Sequence, residues 1–132
     1  MSTPKLDPSK LWVELVSLNM NGFWQFTCFS HEVSEPVGMA WVQRFGPSDN
    51  PGNSKLARTF LIEIFTVEKY RRCGVARAIH KALFDDKADC VITQQGTKVG
   101  GLALIKALGY KREPRSGLWV LTKAAFARIH RH

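Results

Sequence analysis

The spacing of apolar residues predicts where the helices and strands of this chain lie. Near the N-terminus, Asp7 and Pro8 form a typical N-cap and first-turn pair, and leucines then recur at helical spacing from Leu11 until Gly22. This spacing predicts a first helix, preceded by a loose tail over residues 1–6. The run LWVELVSL inside it is also compatible with a strand.

Three runs in the next part of the chain predict strands. FWQFTCFS (23–30) and PVGMAWVQRF (36–45) are rich in aromatic and β-branched residues, and the short polar segment between them predicts a hairpin. Residues 46–55 are all turn formers and predict a loop. ARTFLIEIFTV (57–67) is apolar on both faces, which is typical of a central strand.

The second half of the chain alternates between helical and extended patterns. An amphipathic helix starts at Gly74, a strand follows over 88–95, and a second helix over 98–110 ends at Gly109. A last strand over 116–126 runs into a short basic tail. Helix, three-strand meander, helix, strand, helix, strand is the order of an α/β protein with a mixed sheet.

The composition narrows the class of protein further. With 132 residues, 45% hydrophobic and 23% charged, the chain is expected to fold as one domain over residues 1–132. No apolar run is long enough to span a bilayer, so we expect no membrane partner. The first residues carry neither an apolar signal region nor an arginine-rich transit pattern, which predicts a cytoplasmic location.

Cysteine and histidine usage predicts neither disulfides nor a metal. The chain has three cysteines, an odd number, so a disulfide framework is not expected and a reducing compartment fits. The histidines are scattered and no Cys-x-x-Cys pair is present, so no metal is expected.

The strongly basic balance predicts anionic ligands. A formal charge of +8 and a pI near 9.8 indicate a surface that attracts anions without choosing among phosphates, nucleic acid and acidic partners. Nucleic acid is the less favoured partner, because the basic candidates come from separate segments. They are Arg71, Arg72, Arg77, Lys111, Arg112, Arg115, Arg128 and Arg131.

One junction in the sequence predicts a site for an anion. YRRCGVA lies where the central strand stops and a helix starts, so that several backbone N–H groups at the helix start have no partner within the helix. Gly74 would let a phosphate approach the backbone, and Ala76 keeps the next position small. The alternative is a packing glycine, with Arg71, Arg72 and Arg77 simply solvating the helix start.

The same segment resembles a known family signature. YRRCGVA is similar to the RxxGxA form of the acyl-coenzyme A signature of the GNAT N-acetyltransferase superfamily. FLIEIFTVEKY resembles that family's central strand, PVGMAWV the strand before it, ALIKALGYK the later helix, and GLWVLTK a closing strand. The resemblance covers most of the chain from Phe23 onward. It implies a mixed, mostly antiparallel central sheet flanked by helices, with a shortened N-terminal region.

The resemblance implies acetyl coenzyme A as the cofactor and names the residues that would hold it. Backbone N–H groups of the signature loop would bind the pyrophosphate, and the side chains of Arg72 and Arg77 would add charge. The loop residues are Arg71, Arg72, Cys73, Gly74, Val75 and Ala76, with Arg71 opening the loop. The strand before it would direct backbone groups at the thioester, through Ile64, Phe65, Thr66 and Val67.

The implied reaction moves an acetyl group from acetyl-CoA to a primary amine by direct attack on the thioester. An amine is mostly protonated at neutral pH, so a base must accept its proton. Glu63, the only carboxylate in the central strand, is the candidate general base. The alternative is a strand glutamate that faces solvent or pairs with an arginine.

The sequence departs from the family in the later helix. Many members have a tyrosine there that acts as general acid, and this chain has Ile105 at that position. Lys98 stands near the place where an asparagine often begins the helix. Tyr110 matches an aromatic residue that is usually part of the core, so the acid is unidentified.

The N-terminal region is also short for the family. Members usually place two helices there to wall the acceptor site, and this sequence predicts one. An open acceptor side suits a large amine such as a protein, or is completed by a second subunit in a homodimer. The acceptor stays open between a small molecule and a protein. The alternative function is a catalytically lapsed GNAT-fold binding module for a protein or nucleic-acid partner, although the intact loop argues against it.

Overall fold

The computed structural model describes residues 5–18, 22–45, 58–86, 88–94 and 101–130. Seven strands and three helices make up these ranges. The strands are β1 (Leu11–Ser17), β2 (Phe23–Ser30), β3 (Gly38–Phe45), β4 (Arg58–Thr66), β5 (Cys90–Thr93), β6 (Lys111–Arg112) and β7 (Trp119–Thr122). The helices are α1 (Val75–Asp85), α2 (Gly101–Leu108) and α3 (Lys123–Ile129).

All seven strands form one sheet in the order β1-β2-β3-β4-β5-β7-β6. Every neighbouring pair is antiparallel except β4 and β5, which are parallel. Helix α1 packs across β1, β2, β3 and β4, and α3 packs on β7. The predicted α/β class with a mixed, mostly antiparallel sheet is therefore confirmed, and β4 is central as its apolar pattern predicted.

The predicted first helix was wrong, because this segment is strand β1. Only the first turn is helical: Asp7 accepts a hydrogen bond from the Ser9 N–H and caps a 3-10 helix over Pro8–Lys10. From Leu11 the chain pairs with β2 along its whole length, and burial alternates from one residue to the next at the start of β1. Trp12 stacks on Phe29 of β2 with ring centroids 4.5 Å apart. Pairing with a neighbouring strand therefore overrides a helical spacing of leucines.

The expected loose tail is also wrong at its last residue. Leu6 is buried in the core, and its N–H donates a hydrogen bond to Cys73 Sγ at 3.4 Å. Residues 1–4 lie outside the described ranges. The contact shows that Leu6 lies beneath the turn that precedes α1.

The predicted hairpin, central strand and first amphipathic helix are confirmed. β2, β3 and β4 follow each other as antiparallel neighbours, and α1 buries one face that contains Val75, Ile79 and Leu83. α1 begins very close to the sheet, because a Cβ added at Gly38 would lie 2.5 Å from Val75 Cγ1 and 2.8 Å from the Phe65 carbonyl oxygen. Gly38 thus lets the start of α1 approach the end of β4.

The C-terminal part contains the third correction. The predicted strand over 116–126 is strand only at β7, because Thr122 accepts a hydrogen bond from the Ala125 N–H and caps α3. β6 was not predicted, since its two residues carry no pattern. α2 ends as predicted before Gly109, where the Gly109 and Tyr110 N–H groups bond to the carbonyls of Lys106 and Ile105.

The cysteines and the helices of the structure concern two of the expectations, those about disulfides and membrane spans. All three cysteines are buried and none is disulfide-bonded. In the described chain, no helix combines the length and apolar character needed to cross a bilayer. The loop predicted over 46–55 lies outside the described residues.

A polar pair is buried between α1 and the segment after α2. His80 Nδ1 lies 2.8 Å from the Ala76 carbonyl, which can only accept, so Nδ1 carries the hydrogen. Nε2 then accepts from the Tyr110 hydroxyl at 2.7 Å. Burial lowers the pKa of His80 to about 4 and raises the pKa of Tyr110 well above its ordinary value. Tyr110 thus belongs to the core, as predicted.

We predict that acid destabilises the fold through His80. Because the folded pKa lies below the unfolded value of 6.5, stability is fully present above pH 6.5 and declines as the pH falls towards 4. The loss at pH 4 is about 3 kcal/mol. Urea unfolding of the wild type and His80→Gln near pH 7 and near pH 4 measures it. The variant should be less stable near neutrality and lose less in acid, and an equal loss in both proteins would contradict the assignment.

Candidate functional site

A cleft of about 730 Å³ lies between the end of β4, the start of α1 and helix α2. It contains most of the residues that the sequence singled out. β4 contributes Glu63, Ile64, Phe65 and Thr66, and the junction contributes Arg71, Arg72, Gly74, Val75, Ala76 and Arg77. The remaining lining residues are Ala103, Leu104, Ile105, Ala107, Leu108 and His130.

The cleft exists because β4 continues beyond the end of its pairing with β5. Parallel pairing ends where Leu61 faces Thr93, whereas pairing with β3 continues to Thr66. Over Glu63 to Thr66, the edge of β4 that faces away from β3 therefore meets no strand in the part of the chain that the structure describes. The Phe65 side chain is 51% exposed, which is unusual for a phenylalanine and shows how open this end of the strand is.

The start of α1 presents unbonded backbone donors to the same cleft. The first bond of the helix runs from the Ala78 N–H to the Gly74 carbonyl at 2.9 Å, so the N–H groups of Val75, Ala76 and Arg77 have no partner within the helix. Gly74 occupies the cap position without a side-chain cap. These donors and the positive end of the helix dipole favour a negatively charged group.

The structure gives a backbone reason for a glycine at position 74, beside the expected approach of a phosphate. Within the protein, a Cβ there would touch only Pro8, at 3.7 Å, an ordinary contact, so packing inside the protein does not select glycine. The backbone of Gly74 has φ of 83°, a left-handed conformation that L side chains rarely adopt. Arg72 shares this region with φ of 67°. The backbone path into α1 is what requires the glycine.

The arginines of the junction divide into two groups. Arg71 and Arg72 are exposed at the rim of the cleft, where their guanidinium groups are open to solvent. Arg77 is half-buried, and its Nη2 donates a hydrogen bond to the His130 carbonyl at 3.1 Å. Arg77 therefore ties the first turn of α1 to the end of α3, in addition to lining the cleft.

Two of the predicted cofactor-binding residues are not brought to the cleft wall. The Val67 N–H donates to the Val37 carbonyl at 3.0 Å, which engages its backbone donor elsewhere. Cys73 is buried beneath the turn, where its Sγ accepts the hydrogen bond from Leu6 and lies 3.8 Å from the Arg71 carbonyl.

Glu63 lies at an irregular point of the sheet. Its register partner on β3 is Trp41, next to a bulge between Trp41 and Val42. The Trp41 Nε1–H donates a hydrogen bond to Gln25 Oε1 at 2.8 Å. Among the described residues, none forms a hydrogen bond or an ion pair with the Glu63 carboxylate. The side chain is half-buried and lines the cleft.

The structure adds wall residues that were not among the predicted catalytic and cofactor-binding residues. The apolar residues of α2 close one side, and Ile105, 1% exposed, stands at the position where many GNAT members have a tyrosine. His130 also lines the cleft, with Nε2 3.2 Å from the Leu108 carbonyl. No motif points to His130, because it follows α3 in a basic tail at no fixed spacing from the signature.

Taken together, these groups present backbone donors suited to an anion at the helix start and an unpaired strand edge suited to an extended ligand. Among the described residues, no group of three His, Cys, Asp or Glu side chains is arranged to hold a metal ion.

Comparison with known proteins shows the fold and nothing finer. No protein-family model and no curated protein matches the sequence. Arabidopsis thaliana NAA60 in complex with a bisubstrate analogue has a TM-score of 0.59 at 12% identity, covering 80% of this chain and 78% of NAA60. An aminoglycoside acetyltransferase from an uncultured soil metagenomic sample has a TM-score of 0.58 at 18% identity, covering 73% of this chain and 64% of that chain.

A further solved structure is that of Arabidopsis thaliana Naa50 in complex with the bisubstrate analogue CoA-Ac-MVNAL. Its TM-score is 0.52 at 11% identity, and the match covers 75% of this chain and 71% of that chain. At these identities the likeness concerns the arrangement of strands and helices. The chain has the fold of the GNAT acetyltransferases, as the signature resemblance implied.

We predict that Gly74→Ala destabilises the protein by about 1–2 kcal/mol, because alanine is strained in a left-handed conformation. Arg72→Gly is the matched control, and it should change stability by less than about 0.5 kcal/mol, since relief of strain offsets the added freedom of the unfolded chain. Urea unfolding monitored by circular dichroism measures both. A Gly74→Ala protein as stable as the wild type would show that this backbone path is not required.

Proposed function

We propose that the protein is an N-acetyltransferase that moves an acetyl group from acetyl-CoA to a primary amine. The proposal rests on one observation. The open edge of β4 and the unbonded N–H groups at the start of α1 face the same cleft. A ligand with a pyrophosphate at one end and an extended thioester arm fits this combination. The fold, shared with acetyltransferase structures, supports the same conclusion.

The proposed binding mode uses backbone more than side chains. The N–H groups of Val75, Ala76 and Arg77 hold the pyrophosphate, and the exposed Arg71 and Arg72 add charge at the rim. Charge-assisted hydrogen bonds of this kind contribute about 1.5–3 kcal/mol each. The pantetheine arm then extends along the edge of β4 past Thr66 and Ile64, towards Glu63.

Glu63 is the proposed general base. The amine nitrogen attacks the thioester carbonyl carbon while the carboxylate accepts the proton, directly or through one water. A backbone N–H of the β4 edge donates to the carbonyl oxygen as negative charge develops on it. Collapse of the intermediate breaks the carbon–sulfur bond and releases the thiolate of coenzyme A.

The absence of a tyrosine at position 105 does not prevent this reaction. A thiol has a pKa of about 8.5, so its thiolate is a stable leaving group that solvent can protonate after departure. An apolar Ile105 therefore removes an accelerating group and leaves the reaction path intact. The alternative, a binding module that has lost catalysis, predicts acetyl-CoA binding without turnover.

The proposed acceptor is a primary amine on a small molecule or a protein. Only residues 18–22 join β1 to β2, which is too short a connection for the two helices that usually wall the acceptor side in this fold. The segment predicted as one helix is strand β1, so among the described residues no α-helix precedes β2. This arrangement supports a large acceptor such as a protein.

We predict that the wild-type protein binds acetyl-CoA and that the double variant Arg71→Glu, Arg72→Glu binds it at least about tenfold more weakly, because the charge-assisted hydrogen bonds at the rim are removed. Isothermal titration calorimetry measures the affinities. The control is Lys81→Glu, Lys123→Glu, which makes the same change in charge on exposed residues outside the cleft. A wild-type protein that does not bind acetyl-CoA would overturn the proposal.

We predict that Glu63→Gln lowers kcat by about 10²–10⁴-fold, the usual contribution of a general base. Release of the coenzyme A thiol is followed with a panel of amines that includes a polyamine, an aminoglycoside, and peptides with a free N-terminus or lysine. Glu68→Gln, on an exposed glutamate of the same segment, is the matched control. Full activity of Glu63→Gln would exclude Glu63 as base, and binding without turnover on every amine would favour the lapsed module.

A further inference from the structure

The positive charge of this protein is concentrated on its C-terminal part. Residues 101–130 contain six basic side chains and one acidic side chain, that of Glu113. All seven are exposed. The basic residues are Lys106, Lys111, Arg112, Arg115, Lys123 and Arg128. This part of the surface repels itself and attracts anions.

Three of these basic residues converge on a second concavity. Lys111 and Arg112 of β6 and Arg128 of α3 line a groove of about 440 Å³ beside β7. Its other lining residues are mostly small or apolar, namely Gly109, Glu113, Val120, Thr122, Ala124 and Ala125. No lining residue is shared with the cleft between β4, α1 and α2. The fold therefore brings three of the eight basic candidates of the sequence into one groove.

Within the described ranges, none of the three basic side chains forms an ion pair. Between described residues, the ion pairs are Arg44 with Asp86 and Lys69 with Glu35, and neither belongs to the groove. Glu113 lines the groove without pairing with a basic group of the described chain. A groove lined by three cations and one carboxylate has an excess of positive charge, which favours a ligand with several negative charges.

We propose that this groove binds the sugar-phosphate backbone of a nucleic acid strand. Nucleic acids carry closely and regularly spaced negative charges, about one per 1.7 Å of duplex DNA. The guanidinium groups of Arg112 and Arg128 match phosphate oxygens in bidentate geometry. The other lining residues are mostly small and leave room for a sugar.

The lining also predicts how the strand is read. Among the described lining residues, none is aromatic, so bases have no stacking platform in the groove. Contacts made only to phosphates position a strand without reading its sequence. Binding is therefore expected to be steeply salt-dependent and independent of base sequence.

Fluorescence anisotropy with labelled duplex DNA, duplex RNA and single strands tests the proposal. The variant Lys111→Glu, Arg112→Glu, Arg128→Glu is compared with Lys5→Glu, Lys10→Glu, Lys81→Glu, an identical change in charge on exposed residues outside the groove. We expect the groove variant to lose at least about tenfold more affinity than the control. The slope of log K against log salt should fall by about 2–3 for duplex DNA, roughly 0.9 for each phosphate that the variant no longer neutralises.

Circular dichroism verifies folding of each variant independently of both ligands, and the neutral variant Lys111→Gln, Arg112→Gln, Arg128→Gln replaces the charge reversal where that protein does not fold. Acetyl-CoA titration of both variants separates this proposal from the proposed function, because the groove variant should bind acetyl-CoA like the wild type. The DNA and RNA arms identify which nucleic acid is preferred.

Three results would overturn the proposal. Equal losses in the groove and control variants would show an effect of net charge alone. Displacement of the strand by polyglutamate, by ATP or by anionic vesicles at the same concentration of charge would show a general anion surface. Absence of wild-type binding near 50 mM salt would show that no nucleic acid is bound.

Discussion

The rest of this structure depends on the point at which the pairing between β4 and β5 ends. Hydrogen bonding between the two strands stops at Leu61 and Thr93, while β4 remains anchored to β3 as far as Thr66. A parallel pair that continued further would fill the cleft with backbone bonds. Because it stops, the backbone of β4 from Glu63 to Thr66 borders open space beside the start of α1, and Gly38 lets α1 pack closely on β3.

The elements that were predicted correctly are those whose local pattern agrees with their tertiary role. β4 is apolar on both faces and lies between two strands, and α1 shows one apolar face and packs on the sheet with it. β1 was predicted wrongly because LWVELVSL satisfies two periods, and only the pairing with β2 decides between them. β7 and α3 share one apolar run, and the boundary is set by a single cap at Thr122.

The same distinction applies to the candidate site. The helix start was predictable because a strand, a turn with glycine and a helix lie consecutively in the sequence, and the cleft contains Gly74 and Glu63 as expected. His130 and the basic groove were not predictable, since they depend on where α3 and β6 are placed by distant contacts. The sequence contained the charges of Lys111 and Arg128 but not their proximity.

The turn before α1 is fixed from several directions. Arg72 and Gly74 hold left-handed backbone angles, Cys73 Sγ is hydrogen-bonded to the N–H of Leu6, and Gly38 lets the helix press against β3. A segment held in this way is ordered when the chain folds, so an arriving anion does not have to immobilise it. The conformational entropy of this turn is lost during folding. Its loss therefore does not weaken the proposed binding of a phosphate at the helix start.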